Sequence, residues 1–347
     1  MTRVVRDCLI LVGVAVVSTV VLWVAVGMKT IYQNFDGPYY AVIAKCWYDK
    51  ECVGKNFSFP LPAEYYLAHF PLYPALMGLF GGVGLVRAAA LINLLATIGA
   101  AVVLYKMAGE KLWIALTWLF WWPRMWVVRS VGGAETLLIL GLLVSMYFFI
   151  KKKYVWAGVI GALAVLAKPP GILLFGGYAL YFLVKKFDWR AWPLFLMPVV
   201  LGGLFWFYKV QTGDFWAYFH SGDNIHLQML PFGVFDSNQP WVGTFWLEDV
   251  LWVYLIGLIG VIRAMRKNPM LGYFGAVFYT TILFVSHRDI ARYSLPLVPV
   301  VLIGLSEIFE RREVRWALVL LVIPMFFYSV NFLLHNQVAI SDWGPFL

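Results

Sequence analysis

The feature that most constrains this chain is the length of its uncharged apolar segments. The stretch Cys8–Met28 holds 21 residues without a charged side chain, which is enough for a helix to cross a hydrocarbon core of about 30 Å. Similar runs recur along the sequence, in which 62% of the residues are hydrophobic and only 13% are charged. A soluble core cannot bury so much apolar surface. The sequence therefore predicts an all-α polytopic membrane protein.

The apolar runs and their breaks predict about eleven membrane-spanning helices. Their ranges are 8–28, 85–105, 112–129, 135–150, 154–167, 170–184, 191–209, 248–264, 270–286, 293–309 and 316–334. Arg3 and Arg6 before the first run also resemble the start of a signal peptide, but this run is longer than the usual about 7–15 residues and no small-residue cleavage site follows it. We therefore expect a retained first helix in a single membrane domain that covers 1–347.

Basic residues set the expected orientation. With the N-terminus in the cytoplasm, 16 of the 27 Lys and Arg residues lie inside, nearly all of them in short turns, as the positive-inside rule requires. They are Arg3, Arg6, Lys106, Lys111, Lys151, Lys152, Lys153, Lys185, Lys186, Arg190, Arg263, Arg266, Lys267, Arg311, Arg312 and Arg315. The formal charge of +9 is thus a topology signal, and we expect no nucleic-acid partner.

Two long segments, 29–84 and 210–247, lie outside in this threading. Both are rich in Trp, Tyr and Phe, so we expect them to carry short amphipathic helices at the headgroup level. The expected location is the cell membrane of a prokaryote or the endoplasmic reticulum membrane of a eukaryote.

The first outer segment begins with a lone carboxylate, Asp36, followed by Gly37 and Pro38. Because Pro38 can open a short helix, one interpretation is that Asp36 caps that helix. The other is a general base or a metal-binding carboxylate at the lipid–water boundary. Cys46 and Cys52 in the same segment allow either a disulfide or two separate thiols.

Basic residues near the outer face are candidate anion ligands. Arg288 and Arg292 lie four residues apart and would share a helix face, and two guanidinium groups match a phosphate; ordinary contact with lipid headgroups is the alternative. Lys168 lies at a helix break, and Glu135 lies near the outer end of another span. Ionisable groups at such depth usually serve a pathway or a site, although a simple ion pair between these two explains them as well.

The second outer segment contains His220, Asp223 and His226. Their spacing matches no standard zinc pattern, so hydrogen bonding to a polar substrate or among themselves is favoured over a metal site. The sequence contains no G-x-x-x-x-G-K, G-x-G-x-x-G or H-E-x-x-H motif, so we expect neither ATP nor a dinucleotide cofactor. A divalent cation, Mg²⁺ or Mn²⁺, is left open.

Taken together, the motifs resemble the GT-C superfamily of membrane glycosyltransferases, which use polyprenyl-phosphate sugars. The closest resemblance is to the branch of the second GPI mannosyltransferase and its prokaryotic relatives. The matching pieces are NFDGPYY at 34–40, FPLYP at 70–74, GAE at 133–135, AKPPG at 167–171 and RYSLP at 292–296.

The resemblance implies that Asp36 is the catalytic carboxylate and that Lys168, Arg288 and Arg292 hold the donor phosphate. The family commonly has an acidic pair in the first loop, where this chain has Asn34, which puts a tightly bound metal in doubt. It usually has Arg-Pro at the outer break, where this chain has Lys168-Pro169. Further residues of these motifs and of the outer loops are predicted to bind substrate: Asn34, Tyr40, Glu135, His220, Asp223, His226, His287 and Tyr293.

The predicted function is inverting transfer of a hexose, with mannose favoured, from a polyprenyl- or dolichyl-phosphate donor to a lipid, glycan or protein acceptor on the outer face. Nucleotide sugars are made inside the cell, so a donor used outside must have crossed attached to a lipid. Two other classes fit the sequence. A transporter or flippase for a lipid or anionic solute predicts charges deep within spans and paired broken helices, and a non-catalytic subunit of an envelope assembly predicts lipid-phosphate binding without turnover.

Overall fold

The computed structural model describes residues 1–59, 61–242 and 247–347. The chain is 75% helical. In the first half the helices are α1 (Arg3–Val26), α2 (Met28–Tyr32), α3 (Gly37–Cys46), α4 (Lys50–Asn56), α5 (Leu72–Leu79), α6 (Leu85–Met107), α7 (Leu112–Phe120), α8 (Met125–Val128), α9 (Glu135–Ile150) and α10 (Tyr154–Ala167). In the second half they are α11 (Leu173–Val184), α12 (Leu196–Thr212), α13 (Ala217–His220), α14 (Glu248–Lys267), α15 (Pro269–Leu283), α16 (Ile290–Tyr293), α17 (Val298–Gly304), α18 (Ser306–Phe309) and α19 (Arg312–His335).

Several of these helices are suited to a bilayer. Among the residues that the structure describes, four helical segments are long and apolar enough to cross it: Arg3–Val26, Leu85–Met107, Trp189–Thr212 and Arg312–His335. Shorter apolar segments lie at Glu135–Ile150, Tyr154–Ala167, Pro169–Val184, Pro269–Leu283 and Ile290–Gly304. Large apolar side chains on the outer surface of α19, such as Leu320, Ile323 and Phe327, are exposed and suit contact with lipid. The protein is a multi-pass membrane protein, as the sequence predicts.

The long helices pack around α9 and α10. Helix α9 lies against α6 and α10, α10 against α12, α11 against α15, and α14 against α15 and α17. Small residues bring some of these backbones close together: a Cβ atom on Gly304 would stand 2.2 Å from the carbonyl oxygen of Gly260. Such small-residue contacts are a common way for helices to associate in membranes.

Each predicted apolar run is largely helical, but two of them are interrupted. In the run 112–129, α7 ends at Phe120 and α8 begins at Met125, because Pro123 cannot continue the backbone ladder and Arg124 adopts a left-handed conformation with φ of 72°. In the run 293–309, Pro296 and Pro299 accompany a 3₁₀ turn followed by the short helices α17 and α18. The prediction of continuous helices there is wrong, and both breaks lie beside the candidate site.

The predicted outer segments meet at one end of the helix bundle, together with the C-terminal residues. Val338 N donates to Gln33 O at 2.7 Å, and Gln228 N donates to Phe284 O at 2.8 Å. Phe346 packs edge-on against Phe57, with ring centroids 5.1 Å apart. The prediction for 29–84 includes residue 60 and that for 210–247 includes 243–246, which lie outside the described residues.

Helix α3 differs from the surface-lying helix expected in the first outer segment. Most of its residues are buried, including Tyr40, Val42 and Ile43, so it lies within the bundle rather than on it. The disulfide Cys46–Cys52 joins its last residue to α4. Of the two interpretations for these cysteines, the structure therefore supports the disulfide.

Candidate active site

A tight turn before α3 positions Asp36. Phe35 has a left-handed backbone with φ of 50°, and Gly37 begins the helix directly against Gly132, where a Cβ atom on Gly37 would lie 3.1 Å from the Gly132 carbonyl oxygen. Asp36 occupies the N-cap position of α3, but its side chain makes no capping hydrogen bond. The carboxylate therefore points away from its own helix, and simple capping does not account for it.

Three residues from distant parts of the chain surround this carboxylate. Arg292, in α16, donates a hydrogen bond from Nη2 to Asp36 Oδ2. Lys168, at the break after α10, brings Nζ to 3.5 Å from the same oxygen. Glu135, the first residue of α9, accepts from Lys168 Nζ at 2.5 Å and from Arg292 Nε at 2.7 Å. We call Asp36, Glu135, Lys168 and Arg292 the ionic quartet.

The quartet is largely shielded from solvent. Its side chains are between 5% exposed, for Glu135, and 21% exposed, for Lys168. The Arg292 guanidinium also lies over the Phe35 ring, 4.3 Å from its centroid. The predicted pair between Lys168 and Glu135 does form, but it is one edge of a larger cluster in which two acids balance two cations.

Electrostatics keep Asp36 ionised. Burial alone raises the pKa of this carboxyl, but the charges of Arg292 and Lys168 outweigh that effect and hold the pKa well below its usual range. The carboxylate is thus deprotonated at neutral pH. It is a weak base while both cations remain on it.

This depressed pKa has a measurable consequence for stability. A carboxyl group whose pKa is lower in the folded than in the unfolded state stabilises the fold at pH values above its unfolded-state pKa, about 3.9. This contribution is lost as the pH falls through the folded-state pKa. We therefore expect the thermal unfolding midpoints of the wild type and of Asp36→Asn in detergent to differ by the same amount at pH 7 and at pH 5. A difference that disappears by pH 5 would show that the ion pair is not formed.

The Asp36 carboxylate opens on a cavity of about 920 Å³. The cavity wall combines aromatic, cationic and polar side chains from the first loop, the segment before α16 and the end of α19. Its lining residues are Phe35, Asp36, Tyr39, Tyr65, Arg124, His287, Arg288, Asp289, Arg292, Asn331, Phe332, His335, Asn336, Gln337 and Val338. A second, much smaller cavity of about 20 Å³ lies behind Arg292 and is bounded by Lys168, Glu135, Tyr293 and apolar residues.

Several predicted site residues therefore lie at the cavity. Arg288 and Arg292 both line it, although Arg288 precedes α16 rather than sharing its face. His287 packs at a tilt against the Tyr293 ring, with centroids 4.8 Å apart, and burial lowers the pKa of His287 to about 4, so this imidazole is neutral at physiological pH. The His226 ring stacks on the His287 ring, with centroids 5.4 Å apart.

Asp223 does not line the cavity, but it contacts Tyr65, which does. Its carboxylate accepts a hydrogen bond from Tyr65 and lies 3.8 Å from His69 Nε2. Burial, with the Asp36 charge as a second cause, raises the pKa of the Asp223 carboxyl. Tyr40 is buried behind this wall, with its ring 5.0 Å from that of His69.

The predicted substrate-binding residues Asn34 and His220 are held by other contacts and do not line the cavity. The Asn34 amide donates to Thr30 O at 2.8 Å and to Leu333 O at 3.0 Å, so it fastens the first loop to α19. His220 is exposed and its Nδ1 lies 2.6 Å from Asp214 Oδ2. For these two residues the geometry argues against a role in substrate binding.

The predicted trio of His220, Asp223 and His226 does not converge. Within the ranges that the structure describes, no three His, Cys, Asp or Glu side chains are grouped so that they could share a metal ion. Asp36 itself faces two cations, which disfavours a further positive charge at its carboxylate.

Sequence reasoning missed Arg124 and His69. Arg124 lines the cavity, where its Nε donates to Asp289 Oδ1 at 2.9 Å and its guanidinium lies 3.9 Å from the Phe332 ring centroid. A Pro-Arg pair within an apolar run is the signal that could have revealed it. His69 directly precedes the FPLYP motif, but nothing in its spacing indicates that it would lie beside Asp36.

A glycine-rich turn supports Glu135. The Tyr73 hydroxyl donates to Ala89 O at 2.8 Å and accepts from Gly133 N at 3.0 Å. A Cβ atom on Gly133 would lie 2.7 Å from Glu135 Oε2, so this glycine leaves room for the carboxylate. The glycine of the GAE motif thus provides the space that the Glu135 carboxylate occupies in the ionic quartet.

Comparison with known proteins finds solved structures with a similar fold. No protein-family model and no curated protein matches the chain. The structure of ArnT from Cupriavidus metallidurans bound to undecaprenyl phosphate matches with a TM-score of 0.57 over 90% of this chain at 17% identity. The apo structure of the same protein matches with a TM-score of 0.57 over 91% at 18% identity.

This chain spans 62% of the ArnT chain in both comparisons. At such low identity the likeness shows the fold alone. It confirms the predicted all-α membrane fold of the GT-C type.

Proposed function

We propose that this protein is a membrane glycosyltransferase that takes a sugar from a polyprenyl-phosphate donor. The observation that carries the proposal is the convergence of Asp36, Lys168 and Arg292, which are far apart in the sequence, in one ionic cluster of which Asp36 and Arg292 line the large cavity. The fold shared with ArnT, which was crystallised with undecaprenyl phosphate bound, supports a polyprenyl phosphate as the lipid part of the donor.

In this proposal Lys168 and Arg292 hold the donor phosphate, and Arg288 contacts it from the cavity. The phosphate competes with Asp36 and Glu135 for the N–H groups of Lys168 and Arg292, because phosphate oxygens are strong acceptors of charge-assisted hydrogen bonds. As Arg292 and Lys168 turn to the phosphate, their hold on Asp36 weakens and its basicity rises toward the range that suits a general base.

The reaction then follows from the geometry. Asp36 accepts the proton of the acceptor hydroxyl, the hydroxyl oxygen attacks the anomeric carbon, and the bond from that carbon to the phosphate oxygen breaks with inversion. Lys168 and Arg292 stabilise the negative charge that develops on the departing lipid phosphate. The site lies on the outer face if the N-terminus is cytoplasmic, as the distribution of basic residues predicts.

The finer assignments follow the sequence resemblance. They comprise a hexose, with mannose favoured, a lipid, glycan or protein acceptor, and membership of the branch that includes the second GPI mannosyltransferase. The residues 29–84 and 210–247 would form the outer part of one catalytic domain. A panel of polyprenyl-phosphate mannose, glucose and galactose, each supplied to membranes containing the protein, would test the sugar.

Lys168→Met tests the donor-phosphate role. The variant keeps much of the side-chain volume and leaves Glu135 paired with Arg292, so we expect it to fold. Loss of one charge-assisted hydrogen bond of about 1.5–3 kcal/mol should lower transfer about 10- to 100-fold. The measurement is sugar transfer from the polyprenyl-phosphate donor, with Lys186→Met as the control. Equal activity in Lys168→Met and wild type would remove Lys168 from the proposed phosphate site.

One observation favours the second candidate, a transporter. Arg129 is fully buried and, within the described part of the chain, donates to neutral oxygens, those of Leu119, Thr19 and Ser18, at 2.8–3.0 Å. A buried cation beside a broken helix is a feature of transport pathways. Flux of a lipid phosphate in proteoliposomes without sugar transfer would favour this function over the enzyme.

A further inference from the structure

The large cavity has two chemically different ends. One end carries Arg124, Arg288 and Arg292. The other end is formed by Tyr39 and Tyr65, whose rings meet edge-on with centroids 5.3 Å apart. Asp36 contacts Arg292 and is close enough to Tyr39 and Tyr65 for its charge to raise the pKa of both hydroxyls, in addition to the larger effect of their burial.

A second carboxylate adjoins the aromatic end. Asp223 accepts a hydrogen bond from Tyr65 and its side chain is 32% exposed. It is a partly exposed acceptor that is hydrogen-bonded to Tyr65, a residue that lines the cavity. Its charge adds to that of Asp36, so this end repels an anion and the arginine end attracts one.

A buried histidine completes this end. His69 is 3% exposed and its ring lies 5.7 Å from that of Tyr39 and 5.6 Å from that of Tyr65. Within the described residues its Nδ1 has no hydrogen-bond partner, and burial lowers the pKa of its imidazole. A neutral imidazole supplies no charge that would cancel the two carboxylates.

We propose that Tyr39, Tyr65 and Asp223 form a subsite for a polyhydroxylated ring that carries no negative charge. Ring hydroxyls donate to the Asp223 carboxylate, and the C–H faces of the ring pack on the tyrosine rings. The proposal rests on the proposed function and extends it by assigning the substrate class at this end. Either the transferred sugar or the first ring of the acceptor has this chemistry.

Saturation-transfer NMR on the full chain in detergent tests the subsite without requiring transfer. The probes are methyl α-mannopyranoside, which is neutral, and methyl α-glucuronide, which is anionic. For the wild type we expect transfer to the mannoside at least fivefold stronger than to the glucuronide. In Asp223→Asn and in Tyr65→Phe the mannoside signal should fall at least fivefold.

Asp214→Asn is the matched control, because Asp214 lies in the same loop and pairs with His220 away from the cavity. It should leave the mannoside signal unchanged. Thermal unfolding identifies any misfolded variant, and Tyr65→Phe decides the outcome if Asp223→Asn fails to fold. The proposal is overturned if wild type gives no mannoside signal, if it prefers the glucuronide, or if the folded variants bind as wild type does.

Competition distinguishes the two sources of the ring. Polyprenyl-phosphate mannose should displace the mannoside if the subsite holds the transferred sugar, whereas polyprenyl phosphate without sugar should not. If neither displaces it, the subsite holds the acceptor ring. Displacement by polyprenyl phosphate alone would place the phosphate at this end and overturn the proposal. A protein that binds the mannoside as expected but transfers no sugar would disprove the proposed function and leave the subsite intact.

Discussion

Asp36→Asn should reduce sugar transfer by about 10²- to 10⁴-fold, the range that a positioned general base contributes. The amide has nearly the same shape as the carboxylate but cannot accept the acceptor's proton. Arg292 keeps Glu135 as an ionic partner in this variant, so the fold should persist. The measurement is transfer of radiolabelled mannose from polyprenyl-phosphate mannose into native membrane acceptors.

Asp188→Asn is a suitable control for this experiment. Asp188 also pairs with an arginine, Arg190, at 2.8 Å, but its partner is largely exposed and the pair lies outside the cavity. We expect this variant to transfer sugar at the wild-type rate. Full activity in Asp36→Asn would contradict the assignment of Asp36 as the base.

Arg292→Ala should have the largest combined effect on stability and activity. Its guanidinium bridges Asp36 and Glu135, and its removal leaves two carboxylates with Lys168 as their remaining quartet partner. Breaking a buried ion pair by removing one partner typically costs about 3–5 kcal/mol, so the thermal unfolding midpoint in detergent should fall clearly. Transfer should be lost as well, because the phosphate loses its planar bidentate ligand.

Two further variants distinguish the effect of removing a positive charge from the effect of breaking the buried ion pairs. Arg288→Ala removes an exposed arginine of the same cavity and should change the free energy of unfolding by no more than about 0.5 kcal/mol. Arg292→Lys keeps the charge but cannot span both carboxylates, so it should retain more stability than Arg292→Ala while transfer stays low. An unchanged unfolding midpoint in Arg292→Ala would show that the quartet does not stabilise the fold.

The sequence was sufficient to single out Glu135, Lys168 and Arg292 as candidate site residues because each lies in a short motif with a physical peculiarity. Lys168 precedes two prolines at a helix break, Glu135 follows two glycines, and Arg292 lies in a charged segment between apolar runs. Charges in such places are costly unless they meet a partner. The catalytic and phosphate-binding roles of these residues stay predictions.

The sequence could not reveal contacts that depend on how loops fold back. Asn34 stands two residues before Asp36, yet its amide turns toward Leu333 at the end of α19. His69 and the C-terminal segment reach the site through loop packing that leaves no periodic signal. The position of Arg124 at the cavity was not predicted, because the apolar run 112–129 has the ordinary length of a membrane span and the helix break at Pro123 was not recognised within it.

The most direct test is an electron cryomicroscopy structure of the full chain with undecaprenyl phosphate added. The account predicts density for the phosphate within hydrogen-bonding distance of both Lys168 Nζ and the Arg292 guanidinium, next to the Asp36 carboxylate and inside the cavity mouth. A lipid phosphate bound elsewhere, with Asp36 and Arg292 still paired and the cavity without phosphate density, would contradict it.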